Sequence, residues 1–152
     1  MADRLTPEQR SFNMSRVRGR DTTPELTVRR ALHAQGFRFR LHRADLPGRP
    51  DIVLRKWNTV ILVHGCFWHH HDCDLFRWPA TRPEFWKSKI AKNVERDRIA
   101  AEALGTNGWR VVTVWECALR GTARLPSDEL SIQLARAVRA DGMAVEIRRC
   151  EL

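Results

Sequence analysis

The chain has 152 residues, a formal charge of +9, 43% hydrophobic residues and 30% charged residues. That length fits one domain with a real core, and the composition excludes disordered, fibrous and membrane-embedded classes. No apolar run reaches a membrane span and no signal-peptide stretch follows the polar start Met1-Ala2-Asp3-Arg4, so a cytoplasmic protein is expected.

The positive charge is mostly Arg, with only four Lys among the 27 cationic residues. Arg meets phosphate oxygens in a two-point fork that Lys cannot form. Residues 1–50 hold eleven Arg against five acids. This uneven charge points to a nucleic-acid partner.

In chain order, residues 1–21 are polar and Arg-rich, with Phe12, Met14 and Val17 as isolated apolar groups. They read as an arm without its own core. Thr22-Thr23-Pro24-Glu25 predicts a helix start, and Gly36 its stop. Phe37 to His42 alternates with period two and predicts a strand. Leu46-Pro47-Gly48-Arg49-Pro50 is a turn. Asp51-Ile52-Val53-Leu54 and Thr59-Val60-Ile61-Leu62-Val63 suit a buried hairpin. Thr81-Arg82-Pro83-Glu84 has a capping-box pattern ahead of a helix to about residue 104, with Phe85, Ile90, Val94, Ile99 and Leu104 as its apolar face. Residues 109–115 predict a strand ending at Glu116-Cys117, and a last helix runs from about Ser127 to Asp141. The order α-β-β-β-α-β-α predicts an α/β fold, a mixed central sheet flanked by helices. Trp86 and Trp115 are expected in the core.

The run Gly65-Cys66-Phe67-Trp68-His69-His70-His71-Asp72-Cys73 sets three imidazoles between two thiols. Thiolate and imidazole are the preferred zinc ligands. Cys66, Cys73 and one histidine of 69–71 supply three ligands, and Cys117, at the end of a strand, can supply the fourth. Spacing alone does not choose the histidine. A closed site of this kind is structural; a catalytic zinc is the lesser alternative, since no H-E-x-x-H is present. The competing reading is buried free thiols beside solvated histidines. Cys150 reads as incidental. Phe67 and Trp68, caught between ligands, are available to something outside the protein.

Asp51 opens an apolar strand, where a charge is costly unless used. A carboxylate there suits Mg²⁺. Glu25, then Gly48-Arg49-Pro50-Asp51, then a hydrophobic strand, resembles the PD-(D/E)xK nuclease core. The second strand, Val60-Ile61-Leu62-Val63, carries neither the acid nor the lysine normal in that core. His64 and His69 lie just past it, and imidazole can move protons near neutral pH.

The wider pattern is more specific. Leu46 to Asp51, His64 to His71, Cys73, Pro79-Ala80-Thr81-Arg82, Phe85-Trp86, Lys92 to Asp97 and Val114 to Leu119 resemble the very-short-patch repair (Vsr) DNA mismatch endonucleases over roughly residues 10–120. The resemblance implies a restriction-endonuclease-like core with a structural zinc. It implies Mg²⁺-dependent nicking of one DNA strand on the 5′ side of the thymine in a T:G mismatch, the product of 5-methylcytosine deamination. Asp51 would hold Mg²⁺ with the backbone carbonyl of Val63. His69 would be the general acid/base, with Glu25 and His64 in support. Cys66, His71, Cys73 and Cys117 would hold Zn²⁺. Phe67 and Trp68 would wedge into the base stack from one groove, and Met14 from the opposite side. Lys89 and Asn93 would contact the mismatch region. The implied partners are double-stranded DNA with a T:G mismatch and mismatch-repair proteins, for a monomer. The implied division is an arm at 1–21, a catalytic core at 22–120 and a C-terminal helix and tail at 121–152. The competing reading is a non-catalytic zinc-containing DNA-binding module.

Overall fold

Thr22 accepts the Glu25 N–H at 3.4 Å and opens helix α1, Thr23–Ala34. Pro24 sits in its first turn, where its missing N–H costs nothing. The helix ends at Gly36, whose φ of +85° an L side chain rarely adopts. The Gly36 N–H returns to His33 and the Phe37 N–H to Leu32, so both terminal carbonyls are satisfied. These coordinates come from a computed structural model, which describes residues 6–9, 21–142 and 144–149.

The chain continues as strand β1 (Arg40–Leu41), β2 (Ile52–Leu54), a 3-10 turn, β3 (Thr59–His64), helix α2 (Pro83–Thr106), β4 (Arg110–Trp115), a second 3-10 turn at Glu116–Ala118, helix α3 (Ser127–Arg139) and β5 (Ala144–Ile147). The strands form one sheet in the order β1-β2-β3-β4-β5. The first two pairings are antiparallel and the last two parallel. Alternation divides the core. Ile52, Leu54, Ile61, Val112 and Val114 face α1 and α3, where Val28, Leu32, Leu130, Leu134 and Val138 are buried. Val53, Val60, Leu62 and Val111 face the other way, toward Leu104 of α2. Each fully buried aliphatic side chain contributes about 1.5–3 kcal/mol.

Gly48 shows why the turn before Asp51 is tight. A Cβ there would lie 2.6 Å from the Ala100 Cβ, at a φ of +72°. The turn is thereby pressed onto α2, which sets Asp51 at the mouth of the sheet.

Several expectations are corrected. The strand predicted over 37–42 shrinks to Arg40–Leu41. Phe37 is buried through its T-shaped contact with Trp57 rather than by strand pairing. The capping box at Thr81 does not form: Arg82, at φ +52°, precedes the helix with no side-chain cap. The apolar face read along α2 is only half used. Ile90 and Leu104 are buried, whereas Phe85, Val94 and Ile99 are 43%, 41% and 54% exposed. Trp86 is partly exposed within an aromatic cluster; Trp115 is buried, as expected. Strand β5, unforeseen, extends the sheet parallel to β4. Arg110 helps to hold that edge, donating to the carbonyls of Ala137, Val138 and Gly142 at 2.7, 3.0 and 2.8 Å. Among the described residues no helix is long and apolar enough to cross a membrane.

Candidate nuclease site and metal centre

The parallel register of β3 and β4 pairs His64 with Trp115. Cys66 and Cys117 each stand two residues beyond that pair, so the strand ends deliver both thiols to one place. The Cys117 N–H donates to the Cys66 Sγ at 3.3 Å. Between them the chain turns on itself, with the His69 N–H on the Gly65 carbonyl and the His71 N–H on the Cys66 carbonyl. This turn returns His71 to the thiols. Its Nδ1 lies 3.6 Å from the Cys66 Sγ and 3.5 Å from the Cys117 Sγ.

The ligand atoms of Cys66, His71, Cys73 and Cys117 all lie within 4.8 Å of one another. A tetrahedral zinc with bonds of about 2.3 Å to sulfur and about 2.0–2.1 Å to nitrogen requires S···N edges of about 3.5 Å. The observed separations match. Burial pushes the Cys66 and Cys117 thiols above their usual range, so thiolates gathered here require a cation. The donors leave no open position, which makes this a structural zinc site. The ring of His71 stacks on Trp115 at 4.0 Å, fixing its plane. The Glu116 Oε1 accepts the Cys66 N–H at 3.2 Å and anchors the turn from below. Sequence reading did not single out Glu116; its place beside Cys117 was the available signal.

His69, two residues before His71, points elsewhere. Its Nδ1 meets the Asp97 carboxylate of α2 at 2.5 Å, and its ring stacks on His64 at 3.8 Å and 3°. With Nδ1 held by Asp97, the Nε2 is left for other chemistry. Burial, helped by the charge of His69, depresses His64 to about 4, so it is neutral at working pH.

Asp51, Glu25, Val63, His64, His69 and Asp97 line one open groove of about 750 Å³, together with Phe67 and Trp68. The Asp51 Oδ2 accepts the Val63 N–H at 2.8 Å. Burial raises the Asp51 carboxyl to about 6; the Val63 N–H opposes that rise and the charge of Glu25 adds to it. A carboxylate so placed gains from a cation. Oxygen donors at the mouth of the sheet suit Mg²⁺. Glu25 is buried, and its Oε2 takes the Asp21 N–H, Arg29 and His42. His42 and Asp97 were missed as site members, because each reaches its partner across a distance no local pattern reports; Arg29 was missed although its i,i+4 spacing from Glu25 on α1 was a local signal.

Phe67 and Trp68 are half-buried and meet edge to face at 5.0 Å. Phe76 and Trp86 back Phe67 at 5.9 and 5.5 Å. The Asn93 side chain donates to the Trp68 carbonyl at 3.0 Å, so it ties α2 to the aromatic turn. Asn93 and Asp97 are four residues apart and therefore lie on one face of α2. Lys89 is exposed on the same helix. Met14 and Cys150 lie outside the described residues.

A mixed sheet with a buried acid at the mouth of one strand, an imidazole–carboxylate pair beside it and a closed zinc clamp defines a restriction-endonuclease-like nuclease. The family model for DNA mismatch endonuclease Vsr matches residues 2–75. The chain is 48% identical over 147 residues to DNA mismatch endonuclease Vsr of Escherichia coli, covering 97% of the chain and 94% of that relative. It is 50% identical over 119 residues to the type II nicking enzyme V.XorIIP of Xanthomonas oryzae, 78% of the chain and 88% of the relative. It is 43% identical over 123 residues to the type II nicking enzyme V.NmeAIP of Neisseria meningitidis, 81% of the chain and 88% of the relative. The chain belongs to the Vsr family of DNA mismatch endonucleases.

Proposed function

We propose that this protein is a Mg²⁺-dependent endonuclease that nicks one strand of duplex DNA on the 5′ side of the thymine in a T:G mismatch. The observation that carries the reading is a single groove holding Asp51, Glu25, His64 and His69 beside the exposed edges of Phe67 and Trp68. Groups for cutting and groups for reading a distorted base pair thus share one surface.

The geometry supports the following roles. Asp51, its Oδ2 oriented by the Val63 N–H, would hold Mg²⁺ together with the Val63 carbonyl. When bound, Mg²⁺ supplies charge that lowers the pKa of water and offsets negative charge developing on the phosphate. His69, set by Asp97 on one nitrogen, moves a proton at the other. Neutral His64 packs flat against His69 and restricts its ring. Arg49 and Arg96, which also line the groove, meet phosphate oxygens.

Phe67 and Trp68 enter the base stack. Unstacking a step costs a few kcal/mol, and a wobble pair resists less than a matched one. The zinc clamp begins at Cys66, one residue before Phe67, so the wedge is ordered before DNA arrives and loses little entropy on binding. Lys89 and Asn93 approach the same region from α2, and Met14 from the arm. The arm at 1–21 contacts DNA, 22–120 forms the catalytic core, and 121–152 completes the fold. The protein acts as a cytoplasmic monomer on nucleoid DNA, with mismatch-repair proteins as partners.

Nothing favours a non-catalytic zinc module, since the relatives are named as endonucleases and nicking enzymes. A panel of end-labelled mismatched duplexes, with Mg²⁺ or with chelator, tests the proposal. The expected result is one nick at T:G, dependent on Mg²⁺ and absent from Asp51→Ala. Full activity of Asp51→Ala would remove Asp51 from the mechanism.

A further inference from the structure

Three donors converge on one oxygen of Glu25. The Asp21 N–H, Arg29 Nη2 and His42 Nε2 meet Oε2 at 2.9, 3.0 and 3.2 Å. Glu25 is 4% exposed, so its charge depends on these supports. His42 also faces the other carboxylate of the groove: the same Nε2 lies 4.0 Å from Asp51 Oδ1. The main chain repeats the connection, since the His42 N–H donates to the Asp51 carbonyl at 3.2 Å.

The backbone makes His42 more telling. It takes a left-handed φ of +47° just after β1. Gly or Asn is the ordinary occupant of such a position, and a non-Gly residue there is sustained by its surroundings. At His42 the side chain is tied to Glu25 and the backbone N–H to the Asp51 carbonyl. Its side chain is only 13% exposed, though the preceding Leu41 is 40% exposed.

We propose that His42 is a positioning residue of the nuclease site: its imidazole hydrogen-bonds Glu25 and faces Asp51 Oδ1 at 4.0 Å, so it sets the spacing of the two carboxylates. Two like charges sharing a groove would otherwise turn apart. The Val63 N–H already fixes Asp51 Oδ2; His42 sets the side from which Oδ1 is approached. Mg²⁺ demands oxygen ligands in near-ideal places, so the spacing of the two acids governs how well the groove takes it. This inference rests on the nuclease reading above.

Three full-length, zinc-loaded proteins test it: wild type, His42→Leu, which fills the space without a donor, and His42→Gln, whose amide N–H can reach Glu25. Nicking of a T:G duplex gives kcat and KM. Titration calorimetry with Mn²⁺, without DNA, gives ion affinity apart from catalysis. Thermal melting and zinc content verify folding. His42→Leu is expected to lose tenfold or more in kcat, to keep KM within twofold and to bind Mn²⁺ at least fivefold more weakly. His42→Gln is expected to hold kcat and Mn²⁺ affinity within threefold of wild type. If His42→Leu does not fold, His42→Asn, whose amide is too short for the span, takes its place with the same expected losses. Wild-type kcat and Mn²⁺ affinity in the donor-less variant would overturn the proposal, as would a His42→Gln protein equally impaired. A wild type that neither nicks nor binds Mn²⁺ would instead overturn the nuclease reading itself.

Discussion

Replacing Asp51 by Asn should make the magnesium-free protein more stable while ending its nicking. The Asp51 side chain is only 19% exposed, and burial raises its carboxyl from 3.8 to about 6. The ionised form is therefore about 3 kcal/mol less favourable in the folded chain than in the unfolded one. Asn keeps an oxygen to accept the Val63 N–H and carries no charge. At pH 7.5, above the folded value, the gain is expected at about 2–3 kcal/mol, roughly 5–10 °C in Tm for a chain of this size. The sign with pH follows from the raised value: the native carboxyl's penalty is complete above about 6, shrinks as pH falls through 6, and vanishes near 4. Calorimetric melting of both zinc-loaded proteins at pH 7.5, 6 and 5 measures the difference. Added Mg²⁺ should stabilise the native protein and leave the variant unmoved, by about 2.7 kcal/mol at a hundredfold excess over Kd. A variant less stable than the native protein at pH 7.5, or an advantage that does not shrink toward pH 5, would refute the reasoning.

Other outcomes follow from the same geometry. Cys117→Ser should lose zinc, lower Tm by about 10 °C or more and abolish nicking, since the clamp and the aromatic turn share one loop; retained metal measured by atomic absorption would count against the four-ligand site. Phe67→Ala with Trp68→Ala should cut discrimination between T:G and T:A duplexes by about tenfold or more, with affinity for matched DNA nearly constant; unchanged discrimination in paired nicking assays would refute the wedge. Asp97→Asn should lower kcat by about 10²-fold with KM unchanged, because the amide carries no charge to steady a protonated His69 and can turn its NH2 to Nδ1, which selects the wrong tautomer. His64, depressed to about 4, should stay neutral as pH falls from 8 to 5 and protonate only below; its imidazole NMR shifts measure this, and a midpoint above 6 would contradict the burial argument.

Much of this architecture was legible along the chain because its cues are local. Thr22 with Pro24, and Gly36 with Phe37, mark the ends of α1 as capping chemistry requires. The apolar runs at 52–54 and 59–63 form the hairpin. The thiol–imidazole spacing indicated the clamp before any fold was known. What escaped were features decided at long range. Strand β5 is four residues with one fully buried side chain, Ile147, and only its docking against β4 makes it a strand. Phe85, Val94 and Ile99 keep helical spacing yet remain exposed, while Ile90 and Leu104 of the same helix are buried: which apolar positions meet the core is decided by tertiary packing, not by spacing. His42 and Asp97 find Glu25 and His69 across 17 and 28 residues of sequence, where periodicity carries no signal.

Asn93 grips the carbonyl of Trp68 and Asp97 grips the ring of His69. On the proposed roles of Trp68 in the base stack and His69 in proton transfer, one rigid helical turn, about 5.4 Å, would set the offset between them. Successive base pairs are about 3.4 Å apart along a duplex strand. On the proposed roles, a ruler of that length would reach one or two phosphates from an inserted ring and place the break beside the distorted base. Lengthening α2 by one residue between 93 and 97 would rotate the two grips apart by about 100° and uncouple where the enzyme looks from where it cuts.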